Sequence, residues 1–189
     1  MFVDYVTLML VNLMVAFVLF ALFMVFQIDK NPKKAIPGFL LSGFIALATG
    51  LRMIFTWPLP GPYNFAYGDM SIIYGGIFFV AGLALAFGWD LISLGIYSFF
   101  GGLAALVIGT RIITLHLTSE PALAAIGFYL SGLSAILTLP ALYFPKAKAL
   151  RWLLAVVLVV AAVIWGFTGY AAYWQHFDAF GKWLPATMK

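Results

Sequence analysis

The chain has no cysteine. Disulfides, thiol catalysis and thiolate metal sites are therefore excluded. Charge is scarce too. Only 8% of the 189 residues are charged, against about 25% in an ordinary soluble domain. Histidine occurs only at His116 and His176, which gives neither a two-histidine haem site nor an HExxH zinc site. No Ser-His-Asp constellation, P-loop or dinucleotide fingerprint is present, so the chain reads as a non-enzyme without metal or cofactor. Its ten Lys and Arg exceed six Asp and Glu for a net charge of +4. They are too scattered to form a nucleic-acid stripe.

What the chain does have is apolar surface: 65% of its residues are hydrophobic and 18% aromatic. A membrane-crossing helix takes about 20 mainly apolar residues, because the hydrocarbon core is ~30 Å thick and each residue rises ~1.5 Å. Six stretches qualify, roughly Tyr5 to Gln27, Ile36 to Phe55, Ser71 to Gly88, Leu91 to Leu115, Ala122 to Phe144 and Trp152 to Trp174. They predict an all-α membrane protein, a six-transmembrane-helix bundle that forms one integral membrane domain over residues 1–189. The runs are too long and continuous for barrel strands. The first span has no basic leader or small-residue cleavage site and is expected to persist.

Loop chemistry suggests where helices begin. Asp90 is a natural N-cap for the fourth helix, and Thr118-Ser119-Glu120-Pro121 opens the fifth. Thr56 to Asp69 is expected to be the longest internal loop, with Asp69 capping the third helix. Its three prolines stiffen it, which suits either a lid over a vestibule or a rigid connector. Lys30, Lys33, Lys34, Lys146, Lys148 and Arg151 fall on one side of the bundle, and Arg52, Arg111, Lys182 and Lys189 on the other. The positive-inside rule puts the first group in the cytoplasm and both termini outside.

An internal similarity links the second and fourth spans. Ser42-Gly43 through Arg52 and Gly101-Gly102 through Arg111 share small-Gly-x-x-Ala-Leu-x-x-Gly-x-Arg at an offset of 59 residues. The sixth span echoes it with Ala162 and Gly169, a further 60 residues on. We read three two-helix hairpins, approximately 1–60, 61–120 and 121–189. Seven-residue spacing keeps Gly43 and Gly50, Gly102 and Gly109, and Ala162 and Gly169 each on one face. Such faces either pack helices closely or surround a central path. They also offer a homo-oligomer interface.

Arg52 and Arg111 lie near the outer ends of equivalent helices, with Asp69, Glu120 and Asp178 as possible partners. An ion pair closing the outer mouth and a substrate contact are both open readings. His116 precedes Glu120 by four residues, a spacing that permits a pH-sensitive contact. No carboxylate falls in the middle of a predicted span, which disfavours a proton relay. Asn12 is the strongest hydrogen-bonding side chain inside the first span. Tyr74, Phe78, Trp165, Tyr170 and Tyr173 offer aromatic constrictions.

Two resemblances follow from these residues. Trp57-Pro58-Leu59-Pro60-Gly61-x-Tyr63-Asn64 with Gly68-Asp69 resembles the signature of an uncharacterised prokaryotic membrane-protein family, which implies no activity. The six-helix layout is also similar to the proton-gated urea and short-chain amide channels. Locally, Tyr67-Gly68 and Phe87-Gly88-Trp89-Asp90 resemble their third helix and the turn after it. That resemblance implies a pore at Asn12, Tyr74, Phe78 and the sixth-helix aromatics Trp165 and Tyr170. The sixth helix here lacks the carboxylate, and the fifth lacks the tryptophans, of those channels. The expectation is a passive channel or facilitator for a small neutral solute, in a prokaryotic cytoplasmic membrane and as a homo-oligomer. The alternative is an accessory or assembly subunit of a larger membrane complex.

Overall fold

The computed structural model describes residues 4–179. Lys182 and Lys189 lie outside the described residues. Six helices follow one another: α1 (Tyr5–Leu22), α2 (Ile36–Thr56), α3 (Tyr63–Phe87), α4 (Ile92–Thr114), α5 (Pro121–Tyr143) and α6 (Lys148–Ala179). No strand occurs among the described residues. All six helices are long and apolar enough to cross a membrane.

Local chemistry sets their ends. The Asp4 carboxylate accepts the Thr7 N–H at 3.2 Å and caps α1. α1 then loosens into a π-helical turn over Phe23–Gln27, and Pro32 opens a 3₁₀ turn that leads into α2. α2 stops at Trp57, whose φ of +45° breaks the helix just before Pro58. α3 ends on Gly88 at φ +73°, and Trp89 donates back to the Ala84 carbonyl at 2.8 Å. This is the left-handed helix stop that glycine adopts without strain. The Asp90 carboxylate accepts the Ile92 N–H at 2.6 Å, the capping contact expected for α4.

One boundary differs from the sequence expectation. α3 begins at Tyr63 rather than Ser71, so the connection from α2 is only Trp57 to Pro62. The cause is Asn64. Its side chain accepts the Leu59 N–H at 3.0 Å and donates to the Leu59 carbonyl at 2.5 Å. These bonds fold the proline segment into a tight turn that releases the chain into a helix. Asp69 is therefore not an N-cap. It sits on the exposed side of α3, about 9 Å along the axis from Tyr63.

Each helix packs on its chain neighbours, and α6 returns to α1, so the six close a circuit. The most extensive contacts are α2 with α3 and α4 with α5, followed by α1 with α6. These pairs straddle the expected divisions near residues 60 and 120. The glycine faces lie inside them. A Cβ on Gly43 would collide with the Phe79 backbone, and one on Gly50 would lie 2.9 Å from the Gly68 carbonyl oxygen. A Cβ on Gly102 would lie 2.5 Å from the Gly132 carbonyl oxygen, and one on Gly109 3.1 Å from Phe128 Cβ. Gly169 faces Val11 and Leu10 of α1 in the same way, and Ala162 is 2% exposed. Without side chains the backbones approach closely, which maximises van der Waals contact where no hydrophobic force separates helix from lipid. These faces are thus taken up within the chain rather than offered to a second copy.

Candidate functional site

Aromatic side chains fill the centre of the circuit. Phe39 meets Phe78 edge-on with ring centroids 5.5 Å apart, and Phe23 at 5.3 Å. Phe20 adds an edge contact to Phe78 at 5.9 Å. Phe17 lies edge-on to Tyr74 at 6.2 Å. Towards the other end, Phe128 meets Trp165 at 5.3 Å and Tyr67 at 5.6 Å. Edge-to-face geometry lets each ring present its positive rim to a neighbour's negative face.

Two cavities remain among these rings. One, of about 50 Å³, takes lining from all six helices, including Phe39, Ser98, Thr138 and Leu158. The other, of about 40 Å³, is lined among others by Asn12, Ser42, Tyr67, Ser131 and Trp165. Tyr74 and Phe78 line both and stand between them. Neither lining contains a carboxylate, amine, guanidinium or imidazole.

The polar groups at these walls are mostly committed. Asn12 donates to the Ser42 carbonyl at 2.9 Å and so ties α1 to α2. Ser98 donates to the Ala135 carbonyl at 3.0 Å. Thr138 donates to the Ser134 carbonyl at 2.9 Å, within its own helix. The Trp165 indole N–H donates to Ser131 Oγ at 2.9 Å. The Tyr67 and Ser71 side chains make no hydrogen bond among the described residues, and the Tyr74 hydroxyl is buried without a hydrogen-bond partner. A buried polar group left unpaired costs about 1–3 kcal/mol.

Four of the five expected pore residues, Asn12, Tyr74, Phe78 and Trp165, face these cavities. Tyr170 does not. It is 57% exposed, on the outside of α6. The helical twist that turns Trp165 inward turns Tyr170 outward.

The expected ion pairs at the outer mouth do not form among the described residues. Arg52, Asp69, Arg111 and Glu120 are all exposed. Arg52 Nε donates to the Tyr5 hydroxyl at 3.3 Å instead. His116 is exposed at φ +49° where α4 ends, and no ion pair joins it to Glu120. At this end, His176 pairs with the Asp4 carboxylate, closing α6 onto α1. The Tyr63 hydroxyl accepts the Thr118 N–H at 3.0 Å, joining the two loops.

The opposite, lysine-rich end holds an arrangement of which the sequence shows only the topology. Arg151 is 4% exposed. Its Nη1 donates to Asp29 Oδ2 at 2.5 Å and its Nη2 to the Pro145 carbonyl at 2.6 Å. The hydrogen bond from Arg151 holds the Asp29 carboxyl below the usual carboxylate range. The available signal was a lone acid in one tight loop and a lone arginine in the first turn after another, at the same end of the bundle.

A model of the family described as "Protein of unknown function (DUF981)" matches residues 1–179, and the chain belongs to that family. No curated protein and no solved structure matches it.

Proposed function

We propose that this member of the family is a passive channel or facilitator for a small neutral solute of the amide class. In this reading it resides in a prokaryotic cytoplasmic membrane. The lysine-rich end faces the cytoplasm, and both termini lie outside. One observation carries the proposal. A circuit of six helices surrounds two adjoining, partly open cavities whose walls carry no charged side chain.

Magnitudes favour a neutral passenger. Removing an ion from water costs several kcal/mol even after relaxation, and nothing in these walls repays it. A neutral amide loses only hydrogen bonds, and the Tyr74 hydroxyl is free to restore one. A water needs roughly 10–15 Å³ of such volume. Cavities of about 50 and 40 Å³ therefore suit a few waters or one small solute. Tyr74 and Phe78 would form the constriction, with selection by size and desolvation. The likeness to urea and amide channels supports this at the level of layout. Equivalent placement of Gly43 and Gly102, each packed on the helix that follows, supports an internal repeat. Any homo-oligomer would then use surfaces other than the glycine faces.

The test is stopped-flow swelling of proteoliposomes with urea, acetamide and glycerol. Permeability above that of empty liposomes is expected for at least one. No permeability to any of them overturns the proposal. Stoichiometric co-purification of other subunits without flux would replace it with the accessory-subunit reading.

A further inference from the structure

The outer surface carries a second arrangement, where α1 and α6 meet. An apolar groove of about 280 Å³ runs between them. Its floor is made of small, buried residues, Ala21 and Ala155, and its walls of the exposed Val18, Leu22, Val156 and Val160. At the lysine-rich end it meets a polar pocket of about 260 Å³. Val25, Phe26 and Trp152 line both and form the threshold. The Phe26 and Trp152 rings stand edge-to-face at 5.9 Å.

The pocket brings Lys30, Lys148 and Arg151 around Asp29. Three cations face one carboxylate, so positive charge is left over. Asp29 engages only Nη1 of Arg151, and the Nε of that buried guanidinium has no partner. Lys30 and Lys148 are exposed at the rim. A charged, partly unsatisfied wall opening onto an apolar groove calls for an amphiphile with an anionic head.

The dimensions agree. From Val18 to Phe26 the groove follows nine residues of helix, a rise of about 12 Å. Half of a ~30 Å hydrocarbon core is about 15 Å. A chain lying in this groove would thus reach through most of one leaflet, with its head at the level of the lysines. Tryptophan at that depth suits the membrane interface.

We propose that the α1–α6 groove and the Lys30/Lys148/Arg151 pocket form a binding site for one anionic phospholipid. The phosphate sits among the three cations, and an acyl or isoprenoid chain lies against Ala21 and Ala155. Basic pockets between membrane helices bind anionic headgroups by the same attraction. The site requires the helices to lie in a bilayer. It does not require them to conduct, so it stands or falls apart from the channel reading.

The test uses the full chain, delipidated in a neutral detergent, with thermal unfolding followed as lipid is added. Phosphatidylglycerol is expected to raise the Tm, and phosphatidylcholine is not. Each lysine near a headgroup contributes about fivefold in affinity, so the Lys30→Gln/Lys148→Gln variant should bind roughly 25-fold more weakly. Val156→Trp, at an exposed wall, should abolish the response by filling the groove. Equal stabilisation by both lipids, or a phosphatidylglycerol preference that survives in the double variant, overturns the proposal. Glycerol 3-phosphate reproducing the full shift also overturns it, in favour of a soluble anion.

Discussion

The Trp165 indole N–H donates to the Ser131 hydroxyl at 2.9 Å, and that hydroxyl donates in turn to the Gly127 carbonyl at 2.8 Å. Trp165 and Ser131 are each 1% exposed. The pair fastens α6 to α5 beside the cavity that Asn12 also lines. Gly127 makes the contact possible, because a Cβ there would lie 2.7 Å from the indole ring.

Ser131→Ala should therefore orphan a buried N–H. Interhelical hydrogen bonds in membranes average about 0.6 kcal/mol and reach ~1.7, while an unpaired buried donor costs ~1–3 kcal/mol. We expect a loss of about 1–2 kcal/mol in reversible unfolding from mixed micelles. A double-mutant cycle with Trp165→Phe should show coupling of about 1 kcal/mol. Strictly additive effects would mean that the bond contributes nothing.

The glycine faces make a contrast within one protein. Gly102→Ala would place a methyl group 2.5 Å from the Gly132 carbonyl oxygen, which must push α4 from α5. Overpacking of this kind costs about 1–3 kcal/mol. A Cβ on Gly76 meets nothing within 4 Å, so Gly76→Ala should be neutral or gain up to ~1 kcal/mol from helix propensity. Thermal unfolding of both variants in detergent tests this. Equal effects would contradict the close packing of α4 on α5.

These contrasts also show what was legible beforehand. The spans were, because length and apolarity alone decide them. α1 together with its π-helical turn covers Tyr5–Gln27, as expected. The start of α3 was not, because Pro58, Pro60, Gly61, Pro62 and Asn64 all read as loop residues. It is the Asn64 side chain, bonded back to Leu59, that ends the loop early. Which aromatics face inward was legible only in part. These helices are apolar on every side, so periodicity cannot set their rotation. Nothing in the pattern separates Phe17, Phe39 and Phe128, which are buried, from Tyr170, which is exposed. In the sequence Arg151 is one positive charge among six at that end. Its burial depends on Asp29, which lies 122 residues away.

The Asp29–Arg151 pair predicts a pH dependence. The hydrogen bond from Arg151 depresses the Asp29 pKa in the folded chain. A depressed carboxylate contributes stability above its unfolded value, near pH 4, and that contribution is lost as pH falls through the folded value. Asp29 is 61% exposed at its side chain, so solvent screens the pair and the effect should be modest. The Tm of the wild type should fall more steeply below about pH 4 than that of Asp29→Asn. At neutral pH the variant should be the less stable of the two, because the buried guanidinium loses its anion. Parallel profiles for the two proteins would refute this.

Tyr74 offers the sharpest separation of stability from function. Its hydroxyl is buried and unpartnered, so Tyr74→Phe removes a group that costs the fold about 1–3 kcal/mol. The Tm should stay constant or rise. If the hydroxyl serves a passing amide, urea flux through the same variant should fall several-fold, and a residue kept at a cost to stability would be explained by its use. Phe78→Leu should act in the opposite sense on both counts. It removes ring volume between the cavities, so it should raise flux for acetamide and glycerol while lowering the Tm. Stopped-flow swelling and thermal unfolding on the same preparations read both quantities. A Tyr74→Phe protein that is more stable and conducts urea unchanged would leave the hydroxyl without a role and count against the proposed amide path.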